Sequence, residues 1–262
     1  MSSWRKTDSG VFVPDEVAGA WERVAKNRYV AHIDMLGMSE LTQRNPKLAW
    51  DAVSQMAKAK KVVLNRSFTI DGRHVIVRDR VADFTFSDTT LLFTRGDDQD
   101  DLSAILIVCL ELLAQTLHGS VPVRIGVADG LFVFNRDEGL FVGPPLVHAY
   151  RRGEAAQWIG AVVDEIVAER ASKLNPPFLS ADKLPLVVEW DVPLKAGGTA
   201  RQPVLAWPRS HKRNFAISPP ISDEDFYRAF EPLFGPLANL RPGDKAKYSN
   251  TVAFVNKMLA TI

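Results

Sequence analysis

Residues 28–38 read RYVAHIDMLGM and form the first segment with an unambiguous strand pattern, which ends at the carboxylate of Asp34 with Gly37 three positions later. The run before Asp34 has the composition of a buried strand, and the glycine marks a turn into a helix. A carboxylate here would emerge at the edge of a sheet, beside backbone N–H groups that the turn offers to phosphate oxygens. An Asp after a strand also serves as an ordinary turn or helix cap, so the segment alone leaves both roles open.

The hydrophobic pattern on either side of this segment predicts further strands and helices. The predicted elements follow in this order: a strand at 28–35, a helix opened by Asn45 and Pro46, paired strands at 74–86 and 89–95, a helix at 102–117, strands at 121–130, 131–134 and 140–143, a helix from Gly143, and a strand at 159–163. This is the order of a split βαβ, or ferredoxin-like, unit. We therefore predict an α+β fold in which helices cover one face of an antiparallel sheet.

The distribution of proline and apolar residues suggests three parts of the chain. Residues 1–27 are predicted to contain a lead-in helix, because Pro14 is a typical helix opener and apolar residues recur after it at helical spacing. Residues 28–174 form the main domain. The proline-rich stretch 175–185 begins a C-terminal α/β extension, residues 175–262, which we expect to pack on the main domain.

The composition disfavours several classes of protein. With 32 Lys plus Arg against 31 Asp plus Glu, the net charge of +1 leaves no basic excess for a nucleic-acid partner. The single cysteine, Cys109, cannot form an internal disulfide and fits a reducing cytoplasm. The N-terminus lacks the apolar stretch of a signal peptide, and Glu111 and Gln115 interrupt the longest apolar run. We predict a soluble cytoplasmic protein that binds neither nucleic acid nor membrane.

A second carboxylate, Asp88, lies at the tip of the predicted hairpin, in FTFSDTT. In a split βαβ sheet the first strand and this hairpin are neighbours, so Asp34 and Asp88 are expected to converge. Two carboxylates that face one point repel each other unless a cation lies between them, and Mg²⁺ and Mn²⁺ prefer such oxygen ligands. That geometry suits two-metal phosphoryl or nucleotidyl transfer. Because a β-turn also favours Ser-Asp, the inference depends on the pair and not on Asp88 alone.

The sequence resembles the catalytic domain of class III nucleotide cyclases over about residues 28–170. The matching residues are Asp34-Met35-Leu36-Gly37-Met38, Ser87-Asp88, Arg124-Ile125-Gly126-Val127 with Gly130, and Ala149-Tyr150-Arg151. Each motif is short, but their order along the chain is that of the family. Within the family the sequence is most similar to the bacterial pyrimidine cyclases of the Pycsar anti-phage system, which carry a C-terminal extension of this general size.

The resemblance implies a role for each matching position. Asp34 and Asp88 would hold two Mg²⁺ or Mn²⁺ ions, with the backbone carbonyl of Met35 as a further ligand. The loop of Leu36, Gly37 and Met38 would contact the triphosphate. Arg151 would stabilise charge on the transferring phosphorus, a role that suits a fixed guanidinium, although a solvent-facing arginine is an equal alternative.

The sequence also departs from the family pattern. Purine cyclases read the base with a Lys and an Asp at positions that here carry Phe84 and Leu140, and neither side chain offers the required polar contacts. An Asn that precedes the catalytic arginine in the family is Val147 here, which leaves His148 and Arg152 as nearby substitutes. Either the base is a pyrimidine, with Phe84 stacking on it, or the domain has lost catalysis and serves as a dimerisation module. The two retained aspartates favour the enzyme, because converging carboxylates without a cation destabilise a fold.

The function that the resemblance implies is a uridylate cyclase, which converts UTP to 3′,5′-cyclic UMP and pyrophosphate in a cytoplasmic homodimer with sites between the subunits. The product would be a second messenger that activates a separate effector during phage infection. A cytidylate cyclase acting on CTP, an inactive cyclase-like nucleotide-binding module and a nucleotide-sensing regulator stay open as alternatives. Diguanylate cyclases match less well, since Phe86-Ser87-Asp88 replaces their Gly-Gly-acidic hairpin signature.

Two charged segments have a functional and a structural interpretation. The cations at 211–213, in SHKRNF, would either reach a triphosphate from the extension or form a solvated loop, and we expect the loop. The aspartates at 97–101 would either bind Ca²⁺ or cap the next helix. Because the Gly and Glu of an EF-hand loop are missing, we expect solvent exposure and capping.

Overall fold

A computed structural model describes residues 4–6, 12–14, 22–70, 73–210 and 220–260. The strands are β1 (Trp4–Lys6), β2 (Phe12–Pro14), β3 (Lys26–Met35), β4 (Ser67–Ile70), β5 (Arg73–Ile76), β6 (Val81–Phe86), β7 (Thr89–Thr94), β8 (Val123–Asn135), β9 (Leu140–Val142), β10 (Gly160–Val163), β11 (Val187–Pro193) and β12 (Thr199–Leu205). The α-helices are α1 (Met38–Arg44), α2 (Pro46–Leu64), α3 (Gln99–His118), α4 (Pro144–Ala155), α5 (Glu165–Ser172), α6 (Trp207–Ser210), α7 (Asp223–Tyr227), α8 (Glu231–Phe234) and α9 (Pro242–Leu259).

The main sheet has the order β11-β12-β10-β8-β3-β7-β6, and β9 pairs with the far end of β8. Its centre, β8-β3-β7-β6, is antiparallel throughout and has the strand order of a split βαβ unit. Strand β10 adds parallel to β8, and the β11-β12 hairpin of the extension continues the sheet beyond it. The predicted α+β fold is therefore confirmed, with the extension sharing the sheet of the main domain.

Strand β3 lies at the centre because its two faces are both buried. Tyr29, Ala31 and Ile33 point into the principal core, where α2 and α3 pack on the sheet. The intervening Val30 packs on the opposite face, in a cluster with Phe93 and two phenylalanines of β8. Alternation along the strand therefore sends His32 and Asp34 to that opposite face as well.

Helix α4 covers part of this opposite face, so helices lie on both faces of the sheet and not on one. The close approach depends on glycine: a Cβ at Gly126 of β8 would lie 1.9 Å from the carbonyl oxygen of Ala149. Gly153, one turn later on α4, also lies against the backbone of Gly126. The motif Arg124 to Val127 therefore has a packing role at its glycine in addition to any role in the site.

Helix α3 is long and apolar enough to cross a membrane by length and composition, but 78% of its apolar stretch is buried inside the fold. Cys109 lies on this helix and is fully buried, and burial raises its thiol pKa to about 12. The helix is therefore the core helix of the domain, and the thiol packs there as a small apolar group.

The predicted lead-in helix falls largely outside the described residues. Of residues 1–27 the structure describes β1 and β2, which pair antiparallel, and residues 22–27, which form a turn and the start of β3. The described ends of the segment are therefore not helical. Residues 15–21 between them lie outside the described part of the chain.

Candidate active site

Asp34 lies one residue before the end of β3, between the two strands that flank it in the sheet. Its register neighbours are Thr89 on β7 and Arg124 on β8. Arg124 donates two hydrogen bonds to Oδ2 of Asp34, at 2.9 Å from Nε and 2.7 Å from Nη2. Burial raises the pKa of the Asp34 carboxyl, the Arg124 guanidinium opposes the shift, and the charge of Asp88 adds to it. The fork of Arg124 thus opposes the effect of burial on the pKa of the Asp34 carboxyl and fixes the orientation of that group.

Asp88 lies at the tip of the β6-β7 hairpin, where Ser87 adopts a left-handed conformation with φ of 55°. The backbone carbonyl of Asp88 accepts a hydrogen bond of 3.1 Å from the N–H of Met35. This bond ties the hairpin tip to the end of β3, next to Asp34. The structure therefore brings Asp34 and Asp88 to one place, although 54 positions separate them in the sequence.

Both carboxylates line an open cleft of about 430 Å³. The loop of Leu36, Gly37 and Met38 forms part of its wall, but the side chains of Leu36 and Met38 are buried in the core. Any contact of this loop with a ligand would therefore be made by its backbone. Gly37 has φ of 78°, and a Cβ there would lie 2.8 Å from the ring of Phe234 in α8, so both conformation and space require glycine.

The donor set of the cleft fits divalent cations that are bound together with a substrate. The described residues contain no cluster of three or more acidic, His or Cys side chains that would hold a metal ion alone. Mg²⁺ is commonly held by one or two carboxylates and completes its coordination with water and substrate phosphates. Because Arg124 hydrogen-bonds only Oδ2 of Asp34, the other oxygen of that carboxylate and the carboxylate of Asp88 are the groups suited to such an ion.

Arg124 also connects the site to residues that the sequence did not reveal. It contacts the carboxylate of Glu154 on α4, which in turn contacts Nζ of Lys195 just after β11. His32 lies nearby, with its ring 5.2 Å from that of Tyr150, and burial together with the Arg124 charge lowers its pKa to about 4. No spacing signal marks Glu154 or Lys195, since Glu154 meets Arg124 only where α4 crosses β8, and Lys195 meets Glu154 only from the turn after β11.

The remaining predicted site residues lie away from this cleft. His148 and Arg151 are on the exposed side of α4. Phe84 on β6 packs its ring 4.5 Å from that of Phe141 on β9, and the neighbouring Leu140 is 54% exposed. Within one chain the structure therefore separates the predicted residues into a cleft group and a second group on the α4-β6-β9 surface.

The acidic loop at 97–101 has a structural explanation. The side chain of Asp98 accepts a hydrogen bond from the N–H of Asp101 and caps α3. Arg80 pairs with Asp98, Asp100 and Asp101, at 2.8, 3.2 and 3.4 Å. The capping interpretation is confirmed, but the predicted solvent exposure is wrong for Asp100 and Asp101, which are buried beside Arg80. The cations at 211–213 lie outside the described residues.

Comparison with known proteins finds solved structures with a similar fold. No family model and no curated protein matches the sequence. The structure is similar to the catalytic core of a rhodopsin-guanylyl cyclase with converted specificity, solved with ATPalphaS, at a TM-score of 0.51 and 12% identity over 69% of this chain and 95% of that one. An adenylate/guanylate cyclase/hydrolase from Silicibacter pomeroyi is matched at a TM-score of 0.41 and 15% identity over 70% of this chain and 98% of that one. The first of these two likenesses, with a TM-score above 0.5, shows that the chain has the fold of a nucleotide cyclase catalytic core.

Proposed function

We propose that this protein is a class III nucleotide cyclase whose substrate is a pyrimidine nucleoside triphosphate, UTP in the first instance. In the reaction the ribose 3′-hydroxyl loses its proton to water and its oxygen forms a bond to the α-phosphorus. The bond from that phosphorus to the bridging oxygen breaks, and pyrophosphate leaves. The observation that carries the proposal is the placement of Asp34 and Asp88 in one cleft of a cyclase fold. Cyclic UMP would be the product, and CTP with cyclic CMP is the alternative.

The residues of the cleft have distinct tasks in this proposal. Asp34 and Asp88, with the backbone carbonyl of Met35, would hold two Mg²⁺ or Mn²⁺ ions, which when bound lower the pKa of the 3′-hydroxyl and neutralise the leaving pyrophosphate. Arg124 holds the Asp34 carboxylate in one orientation through its two hydrogen bonds. The Leu36–Met38 loop would present its backbone to the phosphates.

A homodimer would join the two groups of predicted residues. Strands β6, β8 and β9 and helix α4 also carry exposed apolar side chains, which are Phe86, Leu131, Leu140, Val142, Val147 and Tyr150. Pairing two copies through this surface would bury apolar area and bring Arg151 and His148 of one copy towards the Asp34 cleft of the other. In that arrangement Arg151 would stabilise charge on the transferring phosphorus.

The pyrimidine assignment depends on the two positions that depart from the family. Phe84 is held against Phe141, and with Leu140 it gives an apolar surface where purine cyclases have polar side chains. The choice of UTP over CTP as substrate is based on the resemblance to the Pycsar cyclases. The same resemblance supports a cytoplasmic second messenger that activates a separate effector against phage.

The same two positions favour a second candidate, a cyclase-like module that binds nucleotide or dimerises without turnover. Loss of the polar base contacts is what a domain released from catalysis would show. The two candidates differ in the fate of the nucleotide, because only the enzyme releases a cyclic monophosphate and pyrophosphate.

The test is incubation of the purified protein with Mn²⁺ and each of the four ribonucleoside triphosphates, followed by identification of products by mass. We expect a cyclic monophosphate from UTP, and none from the Asp34→Asn variant. Asp51→Asn, an exposed carboxylate on α2, is the matched control and should retain turnover. Turnover of ATP or GTP alone would overturn the pyrimidine assignment, and the absence of product with intact folding and dimerisation would favour the second candidate.

A further inference from the structure

The cleft has a second wall that belongs to the extension and lies outside the segments that resemble cyclases. Lys195, Arg241, Asp244 and Lys247 line it, facing the cleft together with Asp34 and Asp88. We call these four residues the extension wall. The residues of the main domain that line the cleft form the main-domain wall.

Two separate segments of the extension converge to build this wall. Arg241 and Lys247 flank the first turns of α9, and both pair with Asp244, at 2.8 Å in each case. Arg241 also pairs with Glu40 of α1 at 2.7 Å. Lys195 approaches from the turn after β11, where its N–H donates to the carbonyl of Ala155. The wall is therefore attached to the main domain at two points.

Lys247 is the most enclosed cation of this wall. Its side chain is only 16% exposed, although lysine is among the side chains that are least often buried. It also lines a smaller, mostly apolar cavity together with Phe234 and Gly37. A lysine held in this way has its ammonium group fixed at the cleft, so little side-chain entropy remains to be lost when an anion binds.

The two walls carry opposite charge. The main-domain wall has three carboxylates, Asp34, Asp88 and Glu40, against one guanidinium, which Asp34 already occupies. The extension wall has three cations against one carboxylate of its own, although Lys195 also pairs with Glu154 of α4 and Arg241 with Glu40. A polyphosphate that is bound with divalent cations needs carboxylates on the side of the metal and ammonium or guanidinium groups on the side of the free phosphate oxygens.

We infer that the extension wall is a second polyphosphate-binding surface of this site, in addition to the backbone of the Leu36–Met38 loop, with Lys247 as its central cation and Lys195 and Arg241 beside it. The inference rests on the proposed function for its substrate, a nucleoside triphosphate. Asp244 holds Arg241 and Lys247 in position before the ligand arrives, as paired carboxylates do for binding-site cations. The extension is thereby a component of the binding site and not only a covering of the main domain.

The experiment measures binding of inorganic tripolyphosphate with Mg²⁺ to the full chain by calorimetry. We expect Lys247→Met to raise the Kd about tenfold or more, the loss of one charge-assisted phosphate contact. Lys245→Met is the matched control, because Lys245 lies two residues away on α9, is exposed and does not line the cleft. A Kd equal in both variants would overturn the inference. If Lys247→Met does not fold, Lys195→Met is judged by the same criterion.

Turnover measured on the same proteins separates this inference from the proposed function. If the wild type makes a cyclic nucleotide, Lys247→Met should raise KM for the triphosphate and leave kcat little changed. An unchanged KM would overturn the inference but would not contradict the proposed function. If no triphosphate is turned over but Lys247→Met still weakens tripolyphosphate binding, the polyphosphate surface is supported and the cyclase activity is refuted.

Discussion

The two walls of the cleft differ in how their charges are held. Arg124 in the main-domain wall has a side chain that is 7% exposed and lies between Asp34 and Glu154, on central strands whose register fixes it. Arg241 in the extension wall is 72% exposed and pairs with Glu40 and Asp244 at the surface. The difference indicates a division of labour. Under the two proposals above, Asp34 and Arg124 on central strands and Asp88 at a hairpin tip serve the metal side of the ligand, and cations at the start of α9 and in the turn after β11 attract its phosphates.

The largest effect is expected at the hairpin tip of the main-domain wall. Asp88→Asn removes one of the two carboxylates proposed to bind metal. Mutation of a residue that only hydrogen-bonds a metal ligand typically lowers metal affinity or activity by about 10- to 100-fold, so for a ligand itself we expect turnover to fall by more than about 100-fold. Tripolyphosphate binding without metal should change little, since that is assigned to the other wall. Steady-state kinetics with Mn²⁺ and calorimetry in the presence of a chelator measure the two effects. An equal loss of both would remove the distinction between the walls.

A second prediction compares the arginines of the two walls. Arg124→Met leaves the carboxylates of Asp34 and Glu154 without their shared cation, and breaking such an enclosed pair costs about 3 kcal/mol of the free energy of unfolding. Arg241→Met removes an exposed pair, for which the expected cost is about 0–1 kcal/mol. Urea unfolding of both variants checks the contrast, and similar losses would contradict it.

The sequence could predict part of the main-domain wall but not the extension wall. Asp34 and Asp88 were predictable because each lies at the end of a strand with a clear apolar pattern, and the strand order of a split βαβ unit makes those ends neighbours. Helices on both faces were not predicted, because the close packing of α4 depends on Gly126 and Gly153, whose effect is visible only when the two backbones meet. The prediction of one covered face was wrong for that reason.

The extension wall gave no comparable signal. Arg241, Asp244 and Lys247 have the i, i+3 spacing of an ordinary solvent-exposed charge cluster on a helix, and Lys195 is a single lysine in a turn. Only the tertiary contacts of α9 and the β11-β12 hairpin bring them to the cleft. The roles of Phe84, Leu140, His148 and Arg151 stay predictions, because they depend on a second copy of the chain.

A third prediction concerns the point where the walls meet. Gly37→Ala forces an L-residue into φ of 78° and against the ring of Phe234, so we expect a loss of about 1–2 kcal/mol in the free energy of unfolding. Gly197→Ala is the control, because Gly197 has φ of 91° with open space around it and reports the backbone strain alone. Thermal and urea unfolding measure both. A smaller loss for Gly37→Ala than for Gly197→Ala would show that Phe234 does not constrain the loop.

The smallest expected effect separates the walls by their response to salt. Exposed charges more than about 10 Å from their target are screened at 0.1 M ionic strength, so attraction by the partly exposed cations of the extension wall should weaken as salt rises. Contacts of the enclosed Arg124 should persist. We therefore expect KM for the triphosphate to rise a few-fold between about 0.05 and 0.2 M salt while kcat stays nearly constant. In the Lys247→Met variant KM should rise less steeply with salt, because one of the screened charges is gone. A slope equal to that of the wild type would assign the salt dependence to charges elsewhere.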